Sequence, residues 1–163
     1  MNVHRPDPRL EEVLRYIKWD VVVTSLEDWG MWERLKAEFP FTLIYRVILN
    51  GNNADNKGVE PGELVNYVRD HVPVGLVDVV QGYNELIVDD DPVQMAREFR
   101  FAMSVQDSGY AALSMTTPVR NVEAHHIPGL MPLIRESAYI GYGGYVKPGS
   151  TRMDTVFEPY WLR

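Results

Sequence analysis

The stretch VDVVQGYNEL, residues 77–86, decides how the chain is read. It opens on valines suited to burial, turns polar, and closes on an amide beside a carboxylate, Asn84-Glu85. Strands covered on both faces read as near-continuous apolar runs, and such strands belong to parallel sheets flanked by helices. In those folds the residues just past each strand gather at the carboxyl ends of the sheet, where chemistry is exposed. The stretch therefore predicts a buried strand over 77–85 that delivers Glu85 to that rim.

Working outward, four more segments read as strands: 21–26 (VVVTSL), 42–49 (TLIYRVIL), 111–118 (AALSMTTP) and 138–145 (AYIGYGGY). Helical patterns lie between them. Asp7-Pro8 and Asp91-Pro92 each set a capping carboxylate before a proline suited to the first helical turn. The second of these helices carries Met95, Phe99, Ala102 and Met103 on one stripe, and Gly109 ends it. Pro61 opens a helix with Leu64, Val65, Val68 and Val72 on its apolar face, and 27–38 and 121–137 give weaker helical patterns. Strands alternating with helices predict an α/β domain over residues 1–163 with about five parallel strands, either an open doubly wound sheet or a barrel.

Composition narrows the function. At 45% hydrophobic and 24% charged residues, the chain is that of a globular protein with a sizeable core. A net charge of −7 opposes nucleic acid as a partner, because no basic cluster offsets repulsion from phosphate. No run approaches the roughly 20 apolar residues of a membrane span, and the opening MNVHRPDPRLEE is charged where a signal peptide is apolar. The expectation is no membrane association and, by default, a cytoplasmic location. The absence of cysteine excludes disulfides and thiolate chemistry. Carbohydrate, neutral and flat-faced, suits a chain with four Trp and nine Tyr.

A carboxylate at the mouth of a parallel β/α sheet can protonate a leaving oxygen, and a neighbouring amide can orient a sugar hydroxyl. The series GYNE (82–85), GYAALSMTTP (109–118) and AYIGYGGYVKP (138–148), with TLIYR (42–46) before it and FEPYWLR (157–163) after it, resembles the glycoside hydrolases built on the eight-fold β/α barrel. The resemblance covers nearly the whole chain and is nearest to glycosidase-like barrel proteins of bacteria and their phages. In that clan the fourth strand ends in Asn-Glu. The resemblance thus implies Glu85 as acid/base, Asn84 as its substrate-orienting neighbour, and Arg46 and Tyr145 lining the mouth, with no cofactor and no metal.

Three departures qualify what the resemblance implies. Leu86 stands where the clan has proline, and Gly143-Gly144-Tyr145 replaces a His-x-Tyr pattern. The clan's nucleophile, a glutamate ending the seventh strand, has no counterpart here. Retaining hydrolysis needs two carboxyl groups about 5 Å apart. Asp28 and the run Asp89-Asp90-Asp91 are the other acids near strand ends, with Asp91 better read as a helix cap. A complete barrel takes about 250 residues, so 163 residues are expected to represent strands two to six of an incomplete barrel. Its open sheet edges would favour self-association.

Other motifs carry less. GYVKPGST (144–151) has P-loop glycine spacing, but Ser150 stands where the lysine belongs and Pro148 removes a backbone donor. NGNNADNKG (50–58) reads as consecutive turns on the cleft rim, and Lys57 falls where an EF-hand needs an oxygen ligand. Adjacent His125 and His126 diverge on a helix or strand and suit no shared metal. Among Trp19, Trp29 and Trp32, Trp29 is the best placed for sugar stacking, just after a strand. Two functions follow as expectations: a glycoside hydrolase completed by a second carboxylate, or a noncatalytic carbohydrate-binding or assembly module. An open α/β phosphate binder ranks third.

Overall fold

A computed structural model describes residues 2–3, 5–49, 56–83, 91–117, 127–137 and 139–142. Six strands and five helices alternate along them: β1 (Asn2–Val3), α1 (Leu10–Ile17), β2 (Val21–Thr24), α2 (Trp29–Glu38), β3 (Thr42–Arg46), α3 (Pro61–His71), β4 (Val79–Gln81), α4 (Pro92–Gln106), β5 (Ala111–Thr117), α5 (Ile127–Glu136) and β6 (Tyr139–Tyr142). All five expected strands form, and β1 adds a sixth ahead of them. Two residues are too few to show a periodicity, which is why β1 escapes a reading of the sequence.

The strands form one parallel sheet in the order β1-β2-β3-β4-β5-β6. This order has no reversal point, unlike that of a doubly wound sheet, and it is compatible with a β/α barrel. Successive helices pack as neighbours, α1 on α2, α3 on α4 and α4 on α5. One continuous core lies between helices and strands, built from Val22, Leu43, Tyr45, Val80 and Ala112 on the sheet and from Leu14, Trp32, Leu35, Leu64, Val68 and Phe101 on the helices.

Local sequence explains where the helices begin. The Asp28 carboxylate accepts from the Met31 amide at 3.0 Å and caps α2. Asp91 accepts from the amides of Val93 and Gln94 at 2.9 and 3.4 Å, with Pro92 in the first turn of α4. Pro61 opens α3, whose buried face is Pro61, Leu64, Val65 and Val68, with Val72 buried just beyond. At α1 the Asp7 carboxylate accepts from Arg9 at 2.8 Å, which leaves Arg9 at the cap position.

The core stripe of α4 differs from the expected one. Glu98, Phe101, Ala102 and Val105 face the sheet, whereas Met95, Phe99 and Met103 are only half-buried. The helix is apolar on two sides because it packs against both a sheet and a neighbouring helix. Met95 and Phe99 turn toward Pro132 and Leu133 of α5, where they line a cleft of about 260 Å³.

The β3–β4 pair is clamped at its amino end by Asp78. Its carboxylate accepts from the Leu43 amide at 2.7 Å and from Lys36 Nζ at 2.6 Å, while its own amide donates to the Leu43 carbonyl at 3.1 Å. At the other end Gly82 follows β4 directly beneath Phe101 of α4. A Cβ at Gly82 would stand 2.6 Å from the phenyl ring. Glycine here is a condition of close helix-to-sheet approach.

Gly82→Ala is therefore expected to cost about 1–3 kcal/mol in chemical denaturation, the usual range for overpacking. Combining it with Phe101→Leu should cost less than the sum of the two single changes, because the smaller side chain relieves the clash. Strict additivity would show that Gly82 and Phe101 do not constrain each other.

Candidate functional site

The carboxyl ends of β3 and β4 are joined by side chains as well as by the sheet ladder. Along β3, Leu43 and Tyr45 belong to the helix-side core, so strand alternation turns Ile44 and Arg46 to the opposite face. Arg46 lies in register with Gln81 of β4. Its Nε donates to Gln81 Oε1 at 2.9 Å, and Gln81 Nε2 donates to the Tyr83 carbonyl at 3.1 Å. Gln81 is fully buried and Arg46 half-buried. A buried amide is costly unless both its ends are bonded, and here both are.

A second buried amide fixes the connection after β3. Asn56 is fully buried and adopts a left-handed backbone conformation, φ 49°. Its Nδ2 donates to the carbonyls of Val47 and Gly82, at 2.8 and 2.6 Å, and its Oδ1 accepts from the Leu49 amide at 3.0 Å. One side chain thus ties the chain leaving β3 to the chain leaving β4. Asparagine suits this place because it tolerates φ > 0 and carries both donors and an acceptor. The Val47 amide donates to the Gln81 carbonyl at 2.9 Å and extends the pairing past Arg46.

Tyr83 completes the anchorage. Its hydroxyl donates to the Val59 carbonyl at 2.9 Å, and its ring meets Phe101 edge-on at 5.9 Å. Burial pushes the Tyr83 phenol well above the ordinary tyrosine range. Asn84-Glu85 follow Tyr83 directly in the sequence, after a chain that is fixed at Gln81, Gly82 and Tyr83. Asn84, Glu85 and Tyr145 themselves lie outside the described residues, as do Asp89, Asp90, His125, His126 and the 144–151 glycine loop.

Trp29 is placed elsewhere. It opens α2, half-buried, with its ring edge-on to Tyr45 at 5.2 Å. Because Tyr45 faces the helices, the structure sets Trp29 and Arg46 on opposite sides of the sheet. Beside Trp29, the Glu27 carboxylate accepts hydrogen bonds from the hydroxyls of both Tyr45 and Tyr67. Tyr67 in turn stacks on His71, with ring centres 4.2 Å apart. Burial first, and then the Glu27 carboxylate, push both phenols above the ordinary tyrosine value.

Of the four other acids weighed near strand ends, Asp28 and Asp91 are spent on helix caps, and Asp89 and Asp90 lie outside the described residues. Among the described residues no cluster of three or more His, Cys, Asp or Glu could hold a metal ion, and no helix is long and apolar enough to cross a membrane. Reading the sequence missed Gln81, Asn56 and Glu98. Gln81 carried a weak signal, a polar residue inside an otherwise apolar strand, and Asn56 was lost among four asparagines in one turn-rich stretch. Glu98, 2% exposed on the sheet side of α4, has the spacing of a core residue and the chemistry of a surface one.

Comparison of the chain with known protein families, with curated proteins and with solved structures finds no match. The class defined by fold and geometry is a parallel β/α sheet of sequential winding, with a polar, side-chain-braced rim at the carboxyl ends of β3 and β4.

The tyrosines set a pH dependence. A phenol whose pKa is raised in the folded state keeps its proton while the unfolded chain loses it, so above the unfolded value the native state binds more protons and stability falls with rising pH. Unfolding free energy is expected to be flat through neutrality and to decline above about pH 10. Tyr45→Phe should make that decline shallower, as followed by urea denaturation at several pH values. An unchanged slope would show that Tyr45 ionises alike in both states.

Proposed function

We propose that this chain is a glycosidase-like β/α protein that acts on or binds a carbohydrate at the carboxyl ends of its strands. Glu85 is the acid/base and Asn84 its substrate-orienting neighbour. The observation that carries the reading is the Arg46–Gln81 pair, which lies on the face away from the helices, with Gln81 ending the fourth strand three residues before Asn84. That is the strand whose end the resemblance ties to the proton donor. Arg46 lines the mouth, and Tyr145 is assigned to it by the resemblance, whereas Trp29 is the first residue of α2 and packs on Tyr45.

Glu85 in its acid form would give its proton to the departing glycosidic oxygen. Hydrolysis also needs a second carboxylate, as nucleophile or as base for water. With Asp28 and Asp91 committed to caps, that group must come from elsewhere, in this chain or in a second subunit. The same commitment favours a second reading, a noncatalytic carbohydrate-binding module that keeps the rim and turns nothing over.

Glu85→Gln separates the two. As an acid catalyst, Glu85 is worth about 10²–10⁴ in rate, so the variant should lose that factor on unactivated oligosaccharides while still binding them. Aryl glycosides, whose leaving group needs little protonation, should be affected far less. A wild-type protein that binds oligosaccharides without releasing reducing sugar supports the binding module. A wild-type protein that neither binds nor cleaves any of a broad oligosaccharide panel contradicts both.

A further inference from the structure

We propose that the flank of α1 turned away from α2 docks a second copy of this chain, the two α1 helices running antiparallel about a two-fold axis. Seven large apolar side chains are exposed among the described residues. Val13, Tyr16, Ile17, Trp19 and Val21 follow one another closely in the chain, and only Val74 and Val93 stand apart. Apolar residues scattered singly over a surface mean little, whereas a contiguous patch rimmed by charge marks an interaction site. Helical spacing explains the clustering. Leu10 and Leu14 face the core, while Glu11 and Arg15 reach α2 through Arg34 and Glu38. At about 100° per residue, Val13, Tyr16 and Ile17 are carried round to the other flank. A helix in a sequential winding packs between its predecessor and its successor. Among the described residues α1 has α2 after it and no helix before it.

The patch has the size that a dimer needs. Tyr16 is 89% exposed and Ile17 49%. With an aromatic side chain covering about 150–250 Å², these two together with Val13 and Trp19 offer roughly 400 Å² of apolar surface per copy. Interfaces are about 60% apolar, so two such faces with their polar rims bury about 1,300 Å² in total, the standard size for a stable pair. Charge makes the face complementary to itself. Glu12 borders it in the first turn and Lys18 at the carboxyl end, and neither is in an ion pair among the described residues. A two-fold axis passing beside residue 15 sets Glu12 of one copy against Lys18 of the other, and Val13 against Ile17. Such an isologous contact closes at two copies. A parallel pairing would instead oppose like charges. The net charge of −7 works against an anionic lipid surface as the occupant. The self-association expected of open sheet edges is thereby assigned to a helix face. The β3–β4 rim takes no part in it, so the interaction is independent of the carbohydrate reading.

Sedimentation equilibrium of the full chain between about 1 and 500 µM is expected to show reversible monomer–dimer exchange, since interfaces of this size reach micromolar affinity or better. Tyr16→Lys changes a side chain that is almost wholly in water, and should raise the dimer dissociation constant at least about tenfold. Glu12→Lys and Lys18→Glu should each weaken the dimer about threefold or more, and the double exchange should restore it. A chain that stays monomeric throughout the range, a dimer indifferent to Tyr16→Lys, or a double exchange no tighter than the single ones overturns the proposal. The charge exchanges decide it alone should Tyr16→Lys fail to fold. A monomeric wild type that binds vesicles of phosphatidylcholine and phosphatidylserine, and loses them in Tyr16→Lys, assigns the face to a lipid surface and overturns it likewise.

Discussion

The structure depends on one constraint: the chain leaving β3 and the chain leaving β4 must be held together after the sheet ladder ends. Asn56 does this with three hydrogen bonds from a single buried side chain. Leaving a buried carbonyl without its donor costs about 1–3 kcal/mol, and two such carbonyls converge on this amide. At the opposite end Asp78 and Lys36 clamp the same strand pair, so β3 and β4 are braced by side chains at both ends. Everything proposed for the rim inherits its order from that pair.

The packing beneath the rim serves the same end. Gly82 lets α4 approach until Phe101 covers the strand end, and Phe101 in turn orients Tyr83. Tyr83 is then anchored to Val59 in the connection before α3, which carries the Asn56 brace only three residues earlier. Helix, strand end and connection are thus closed into one loop of contacts. A site built on such a base loses little entropy when a ligand arrives, whatever the ligand's chemistry.

The fold was largely legible because its signals are local. Valine-rich runs announce strands, and Pro61 and Asp91-Pro92 announce helix starts, whereas the cap expected at Asp7-Pro8 is not formed, Arg9 standing at that position of α1, and the cap made by Asp28 was not read. Sheet order was half legible: alternation of strands and helices implies parallel pairing, but only coordinates separate sequential winding from doubly wound. The stripe of α4 was misread because a helix touching two partners has two apolar sides, and its true core stripe includes an acid, Glu98. The site was legible least. Arg46 ends its strand visibly, yet Gln81, which bonds it, is 35 residues away, and nothing in the Asn-rich stretch 50–58 marks Asn56 as buried.

The most direct test of this account is native-state hydrogen exchange at the Val47 amide, which donates to the Gln81 carbonyl beyond the end of the strand pair. Asn56→Gly removes the bracing amide and keeps a backbone at ease with positive φ. The account predicts that Val47 then exchanges faster by about 10-fold or more, while Leu43, held by Asp78 at the far end, changes little beyond any shift in global stability. Equal effects at both amides, or none at Val47, would contradict the claim that Asn56 holds the two strand ends together.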